Sequence, residues 1–515
     1  MEGGRGDGGD GAEERKGMVS LVIDDEIITN SKDFEEAALS PGAQIFNQPN
    51  MNLHIVAVIG CGKKIDVDII KFGIEATLIH HPRFSSLQII GVEGRGSKKS
   101  NTKWVRTRVE VDKHIVVPDL SNLKIASPDR FLEDYISDLS TTSLDRTRPL
   151  WEFHVLNLRT SEAESVAIFR CHHSLGDGVS LMSLLMACSR KNSDPNSLPT
   201  IPEKKIPTDH NNNENHHRCV KDLLGIFVRF MLFTTMIWNT VVDLFWFTAT
   251  SSSWLKDTMT PISGKEGVQF KKKRFVHTTL LMEDVKCVKR AANGTVNDVL
   301  LGITSAGLTR YLSRRYSDDG SGDLPKNIRL RSTVLVNLRK AQGLQVLADM
   351  MKKKNNKTGK FGNLIGYILI PFPIVQRDNP LDYVRAATKI SNRKKESWEA
   401  IFTYTCSRIL LNLLGIKTAA SLTCNMVSNT TLSFSNIVGP LEEVSFYDHP
   451  LVYIAPSVFG HAHALTIHFQ SYMGKMKMVL AVDETVIPDP HQLCMDLSDS
   501  LDSMKKAVVG VQLEN

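Results

Sequence analysis

His172-His173-Ser174-Leu175-Gly176-Asp177-Gly178 separates two apolar runs, residues 166–171 before it and residues 179–189 after it. The first run is short and interrupted only by Arg170, as a buried strand can be. The second places Leu181, Leu184, Leu185 and Cys188 on one side of a helix. A strand that feeds a helix through a polar turn belongs to an α/β architecture and holds side chains rigidly at an element end. Neighbouring residues leaving a strand point to opposite faces, so His172 and His173 do not ligate one metal together. One faces the reaction and the other the support. A neutral imidazole, with an ordinary pKa of about 6.5, can take a proton from a hydroxyl near neutral pH, which is general-base work without a metal. Asp177 reads as the N-cap of the helix or as half of a buried ion pair that shapes the loop, and Gly178 as the answer to a backbone constraint.

Two further His pairs have blander settings. His80-His81 precedes Pro82 at the end of a helix over 67–79, a turn position, and His216-His217 lies in a polar linker. Upstream, the spacing predicts a helix over 34–38 stopped by Ser40-Pro41-Gly42, and a strand over 53–59 bounded by Gly60 and Gly62. Strands follow over 104–110 and 114–117, a helix over 129–137, and a strand over 152–158 paired with 166–171. Residues 190–220, with Pro195, Pro199, Pro202, Pro207 and Asn211-Asn212-Asn213, have little core potential and mark the domain boundary. Beyond it come strands near 275–281, 331–336, 366–370, 431–435, 464–472 and 477–482, helices near 299–315 and 381–395, and a final helix.

With 515 residues and 42% hydrophobic content, the chain exceeds what one core supports, so two linked α/β domains are expected. The divisions are a disordered 1–33, a first half over 34–190, a linker and apolar helix over 191–267, and a second half over 268–510. The net charge of +6 arises from nearly balanced acids and bases, and clusters such as Lys271–Arg274 and Lys352–Lys354 read as solvated faces, which excludes a nucleic-acid binder. The eight cysteines form no C-x-x-C pair, the pattern of reduced, cytosol-facing thiols without structural zinc. Residues 1–17 lack the apolar run of a signal peptide.

Membrane contact must therefore come from within, and residues 223–249 are long enough, a span needing about 20 residues. Asp222, Arg229, Thr240 and Asp243 share one narrow helical stripe with Asn239 at its edge, although Met236 falls inside it and Thr234 and Thr235 outside. A charge at mid-bilayer costs about 2.5–3.5 kcal/mol. The stripe suits a helix lying in the membrane interface, with the arc around Phe227 and Trp238 toward lipid and Trp246 near its edge; a span with paired charges and a buried interdomain helix are the alternatives.

H-H-x-x-x-D-G in this setting resembles the CoA-dependent acyltransferases that include chloramphenicol acetyltransferase and peptide-synthetase condensation domains. Arg148-Pro149-Leu150-Trp151-Glu152, Asn297-Asp298, Gly362-Asn363 and Ser435-Asn436-Ile437-Val438-Gly439-Pro440 are similar to motifs of the plant wax ester synthase/diacylglycerol acyltransferase family, as are Ser40-Pro41 with Phe46 and His81-Pro82-Arg83-Phe84. The resemblance runs from about residue 35 to 510. Val438 departs from the proline usual in bacterial relatives, which leaves the shape of that loop open.

The resemblance implies two chloramphenicol-acetyltransferase-like α/β halves with an active-site tunnel between them. Long-chain acyl-CoA enters from one side and a fatty alcohol or diacylglycerol from the other, with no cofactor and no metal. By position His173 is the general base, His172 and Gly178 shape the site, and Asp177 holds the loop. No acyl-enzyme is needed, so Cys171 is read as a core cysteine. Thr295-Val296-Asn297-Asp298 also fits a capping box, which leaves Asn297 and Asp298 between helix start and site wall. Ser435-Asn436 and Ser471-Tyr472 either donate to the thioester oxyanion or line the tunnel. The expected setting is the endoplasmic reticulum membrane, or the plasma membrane, with the catalytic part facing the cytosol. Two other readings are a BAHD-type transferase acting on soluble metabolites, whose late D-F-G-W-G-like motif is absent, and a non-catalytic lipid-binding protein.

Overall fold

A computed structural model describes residues 38–90, 102–200, 218–318, 320, 322–339, 344–351 and 361–513. The expected N-terminal segment, all but the last residue of the helix expected over 34–38, most of the polar linker with His216-His217, and Lys352–Lys354 lie outside these residues.

The run 166–171 is the heart of the strand Ser165–His172, which pairs antiparallel with His54–Cys61 so that His54 faces His172 and Cys61 faces Ser165. The sheet around them has seven strands in the order Ile115–Val116, Trp151–Leu156, Ser165–His172, His54–Cys61, His449–Phe459, Val444–Phe446, Ser189–Lys191. Its central strands read as nearly unbroken apolar runs because both faces are covered. Ile55 and Ile59 pack with Ile70 and Ile74 of the helix Val67–Ala76 and with Leu184 of the helix Gly178–Cys188, whereas Val56 and Val58 pack against Phe275, Val479 and Ala481 of a second sheet.

That second sheet has six strands, in the order Ile365–Pro371, Arg331–Asn337, Leu432–Val438, Leu465–Tyr472, Lys475–Val482, Arg274–Leu281. Leu432, Phe434, Leu465, Ile467 and Phe469 bury one face under the helices Val296–Asp318, Leu381–Lys395 and Pro490–Leu513. The other face looks toward the first sheet. The two expected α/β halves are therefore present, and residues 444–459, from the later part of the chain, supply two strands of the first sheet.

The helix Glu399–Ser428 is not evident in the sequence. Gly415 interrupts it with φ 81°, so the helical phase restarts there and no single 3.6-residue period runs through it. Its first turns cover the open edge of the second sheet. Tyr367 N donates to Thr403 Oγ1 at 2.9 Å, and Leu369 N donates to a Glu399 carboxylate oxygen at 3.1 Å, which satisfies edge amides that would otherwise be bare. The approach is close because Gly366 has no side chain: a Cβ there would lie 1.9 Å from Ala400 O.

The apolar helix, Arg218–Ser251, packs along Glu399–Ser428. The part of its polar stripe formed by Asn239, Thr240 and Asp243 turns toward protein. Asp243 is buried and takes ion pairs from Lys394 at 2.9 Å and Arg393 at 2.8 Å; Lys394 in turn holds Glu399 at 2.7 Å. Asn239 donates to Glu396 O at 3.2 Å and Thr240 accepts from Trp398 N at 3.0 Å. A charge beside hydrocarbon needs such partners. Arg229, further along the same helix, is exposed. Phe227, Phe230, Phe233, Trp238 and Phe245, joined by Ile401, Phe402, Leu413 and Leu414 of the second helix, leave a large apolar surface open. Two segments, Gly225–Ser251 and Glu399–Ser428, are long and apolar enough to cross a membrane by length and composition.

Candidate active site

The His turn is fixed by backbone bonds before any side chain acts. His173 N donates to Leu53 O at 2.9 Å, Leu175 N to His172 O at 3.0 Å, and His172 N to Leu150 O at 3.0 Å. The alternation expected on leaving a strand is realised. His172 turns into a polar network: its Nδ1 meets Ser174 Oγ at 2.5 Å, its Nε2 meets Asn52 Oδ1 at 3.1 Å, and Gln88 donates to the same Ser174 hydroxyl. Both nitrogens are occupied, and burial holds the imidazole far below its ordinary pKa.

His173 turns the other way, into a cavity of about 190 Å³. Its ring lies 4.7 Å from that of Phe46, centroid to centroid, and its Nδ1 is buried without a hydrogen-bond partner. Burial lowers its pKa from the ordinary value, opposed by its own carbonyl, the Asp177 carboxylate and the Asn363 amide, so the ring is a neutral base near pH 7. Among the described residues, no group of His, Cys, Asp and Glu could hold a metal ion. Cys171 is fully buried, and burial pushes its thiol far above the ordinary value.

Asp177 performs both of the structural roles open to it. One carboxylate oxygen accepts from Ser180 N at 2.9 Å and caps the helix Gly178–Cys188; the other takes Arg339 Nη1 at 2.7 Å and Leu364 N at 3.3 Å. Arg339 also donates to Gly362 O, and Asn363 Nδ2 donates to His173 O at 2.9 Å and Ser174 O at 3.2 Å. Residues following one strand of the second sheet and preceding another thus clamp a turn built by the first sheet.

Gly178 lies in the cavity wall, where a Cβ would meet Ile437 Cδ1 at 2.6 Å. The constraint is close approach across the cavity. Gly178→Val should narrow the passage and lower kcat/KM for a long-chain donor by about 10²-fold, a cost typical of a small misplacement of reacting groups, while a short-chain donor is affected less. A chain-length series of acyl donors checks this, and an equal loss at every length would rule it out.

Ser435 and Asn436 border the cavity; Asn297, Asp298 and Ser471 do not. Asp298 accepts from Thr295 N at 2.8 Å while its own N donates to Thr295 Oγ1 at 3.3 Å, a reciprocal capping box. Asn297 is exposed and accepts from Asn436 Nδ2 at 2.6 Å, so it reaches the cavity wall only through that neighbour. Ser471 Oγ accepts from Gly439 N at 3.3 Å and the Tyr472 hydroxyl donates to Leu451 O at 3.0 Å, contacts that shape the loop after Val438. Arg339, His461 and His468 carry no local sequence signal for their places at the site, and Asn363 has one only as part of a motif.

Most of the remaining lining is apolar. Ile55, Ile59, Ile74, Phe153, Met182 and Leu185 extend it beneath the first sheet, while Leu335, Ile365 and Ile437 close it from the second. Such a lining suits an apolar group held beside the imidazole.

Known proteins of this kind can be compared directly. Residues 85–300 match the wax ester synthase/diacylglycerol acyltransferase catalytic domain and residues 361–505 the WS/DGAT C-terminal domain. Wax ester synthase/diacylglycerol acyltransferase 5 of Arabidopsis thaliana is 47% identical over 483 residues, covering 92% of this chain and 94% of its own. Number 11 of the same plant is 47% identical over 478 residues, covering 92% and 96%. Among solved structures, the wax ester synthase/diacylglycerol acyltransferase from Marinobacter aquaeolei VT8 superposes with a TM-score of 0.54 at 16% identity, over 92% of this chain and 99% of its own. The first condensation domain of the CDA synthetase gives 0.53 at 10% identity, over 92% and 96%, a likeness of fold.

Proposed function

The chain belongs to the wax ester synthase/diacylglycerol acyltransferase family and is an acyltransferase of that type, and from this premise we propose that His173 is the general base in acyl transfer from long-chain acyl-CoA to a fatty alcohol, with diacylglycerol as a second acceptor. The observation that carries the proposal is a buried neutral imidazole whose ring borders a mostly apolar cavity. His173 takes the hydroxyl proton as the alcohol oxygen attacks the thioester carbonyl. A C–O bond forms and the C–S bond breaks. The proton passes from the imidazolium to the thiolate, and CoA leaves as a thiol. Each step uses only the two substrates and this side chain, so the proposal calls for no cofactor. Asp177, Arg339 and Asn363 hold the imidazole at its post, while His172 supports the turn and Ser435 and Asn436 line the passage.

Purified protein given palmitoyl-CoA and hexadecanol should release free thiol and form the wax ester, read by thiol titration and lipid chromatography. Thiol release that does not depend on added alcohol would count against acyl transfer to that acceptor.

The acceptor is a membrane-dissolved lipid, and the open apolar surface of the paired helices supplies the contact with the bilayer, in keeping with a place on the cytosolic side of the endoplasmic reticulum. Burying an aromatic side chain is worth about 1.5–3 kcal/mol, so Phe230→Ser with Trp238→Ser should weaken liposome binding at least about tenfold. Acyl transfer from a water-soluble short-chain thioester to a water-soluble short-chain alcohol should be nearly unchanged. Unaltered flotation with liposomes would rule this surface out.

A further inference from the structure

In the central strand Leu465–Tyr472, apolar and polar residues alternate, the pattern of a sheet with one dry and one wet face. Leu465, Ile467 and Phe469 occupy the dry face against the helices. Thr466, His468 and Gln470 lie on the other, yet they are only 2%, 5% and 0% exposed, because that face looks onto the first half. A buried polar row is costly unless its members are paired. Thr466 Oγ1 meets His461 Nε2 at 3.2 Å, and Gln470 donates to Ser471 O at 3.0 Å.

His468 has no such employment. Among the described residues, nothing hydrogen-bonds to either of its ring nitrogens; Nδ1 is sealed without a partner and the ring borders the same cavity as His173. The other buried histidines nearby are engaged. His461 takes His463 N at 3.3 Å on one nitrogen and Thr466 on the other, and His463 meets Thr430 Oγ1 at 2.9 Å. The cross-strand neighbour of His468 is Ser435, which also borders the cavity. Burial, with a smaller effect from the charge His173 would carry, brings the His468 pKa down to about 4, so the ring keeps one N–H and no charge at neutral pH.

We propose that His468 is a catalytic residue that donates its ring N–H to the carbonyl oxygen of the acyl donor as that oxygen becomes an oxyanion. This rests on His173 as the base acting in the same cavity. When the alcohol oxygen attacks, the carbonyl electron pair moves onto oxygen, and the His468 N–H stabilises it without giving up its proton. The pair returns as the C–S bond breaks. The two imidazoles divide the work: His173 becomes positive during turnover, and His468 stays neutral because a second positive charge beside it in a dry cavity is disfavoured.

His468→Ala should lower kcat about 10²-fold, the usual loss for one oxyanion donor, with KM for palmitoyl-CoA within about threefold of wild type. His468→Gln, which retains an N–H donor, should recover at least about tenfold of that loss. Independently of any variant, the ester-carbonyl band of palmitoyl-CoA labelled with ¹³C at the carbonyl should move to lower frequency when the wild-type protein binds it without alcohol. A kcat for His468→Ala within about threefold of wild type, a Gln variant no better than Ala, or an unshifted carbonyl band each overturns the assignment. His173→Ala is measured in parallel. If that variant keeps full activity, it is the base that has been misassigned; if it is dead while His468→Ala is active, only the role of His468 fails.

Discussion

His173→Ala is expected to lower kcat by about 10²- to 10⁴-fold, the contribution of a well-placed general base. The fold should survive. The bonds that fix this turn run through main-chain groups, from His173 N to Leu53 O and from Asn363 to His173 O, and alanine keeps both. The lost ring leaves space beside a cavity that already exists, and Phe46 loses its neighbour. Thiol release under saturating palmitoyl-CoA and hexadecanol, with circular dichroism as a check on folding, reads the result, and activity within about threefold of wild type would remove His173 from the mechanism. The pH profile follows from burial. The working form is the neutral imidazole, and its pKa lies below the ordinary value of about 6.5, so wild-type kcat/KM should hold down through that pH and fall only as pH drops through the lowered pKa. An acid limb above the ordinary value would contradict a base in this environment.

Arg339→Leu is expected to be the most damaging change away from the cavity. Arg339 and Asp177 are both buried, their pair measures 2.7 Å, and removing the guanidinium strands a carboxylate out of water. Breaking such a pair from one side costs about 3–5 kcal/mol. The activity should fall as well, because Arg339 also holds Gly362, next to the Asn363 that grips the His turn. The double variant Arg339→Leu with Asp177→Asn removes the stranded charge and retains an oxygen to cap the helix, so it should recover a large part of the lost stability. Urea unfolding midpoints of wild type, Arg339→Leu, Asp177→Asn and the double variant test this. Equal midpoints for the single Arg339 variant and the double variant would show that the buried charge is not what matters.

The parts of the fold that could be read in the sequence are those with local periodicity. The strand Ser165–His172, the turn and the helix Gly178–Cys188 declare themselves in consecutive residues, and the helix Leu381–Lys395 coincides with its expected bounds. The helix Glu399–Ser428 escaped because Gly415 resets its phase. The clamp on the His turn escaped for a different reason: Arg339 and Asp177 are distant in sequence, and nothing near Arg339 marks it as buried. Alternation in Leu465–Tyr472 carried a misleading signal. It says which residues share a face, but not whether that face meets water, and His468 lies on a polar face that is dry. In the apolar segment the stripe residues Asn239, Thr240 and Asp243 do share a buried face, but the partners of Asp243 come from residues 393 and 394, which only the folded chain brings near.

The strand His449–Phe459 also orders events during synthesis. It occupies a central place in the first sheet, hydrogen-bonded to His54–Cys61, so that the strand ahead of the catalytic turn waits for a partner made far later. At ribosomal rates of about 5–20 residues per second, that wait is on the order of 20 to 80 s. Until the late strand arrives, one long edge of His54–Cys61 is unpaired, and an open apolar edge is a template for association with other chains. The catalytic turn is thus emitted early and completed late. A nascent chain held short of residue 449 should depend on chaperones to a degree that the finished enzyme does not, and separating the gene into two polypeptides at the linker would leave the first product without a strand from the middle of its own sheet.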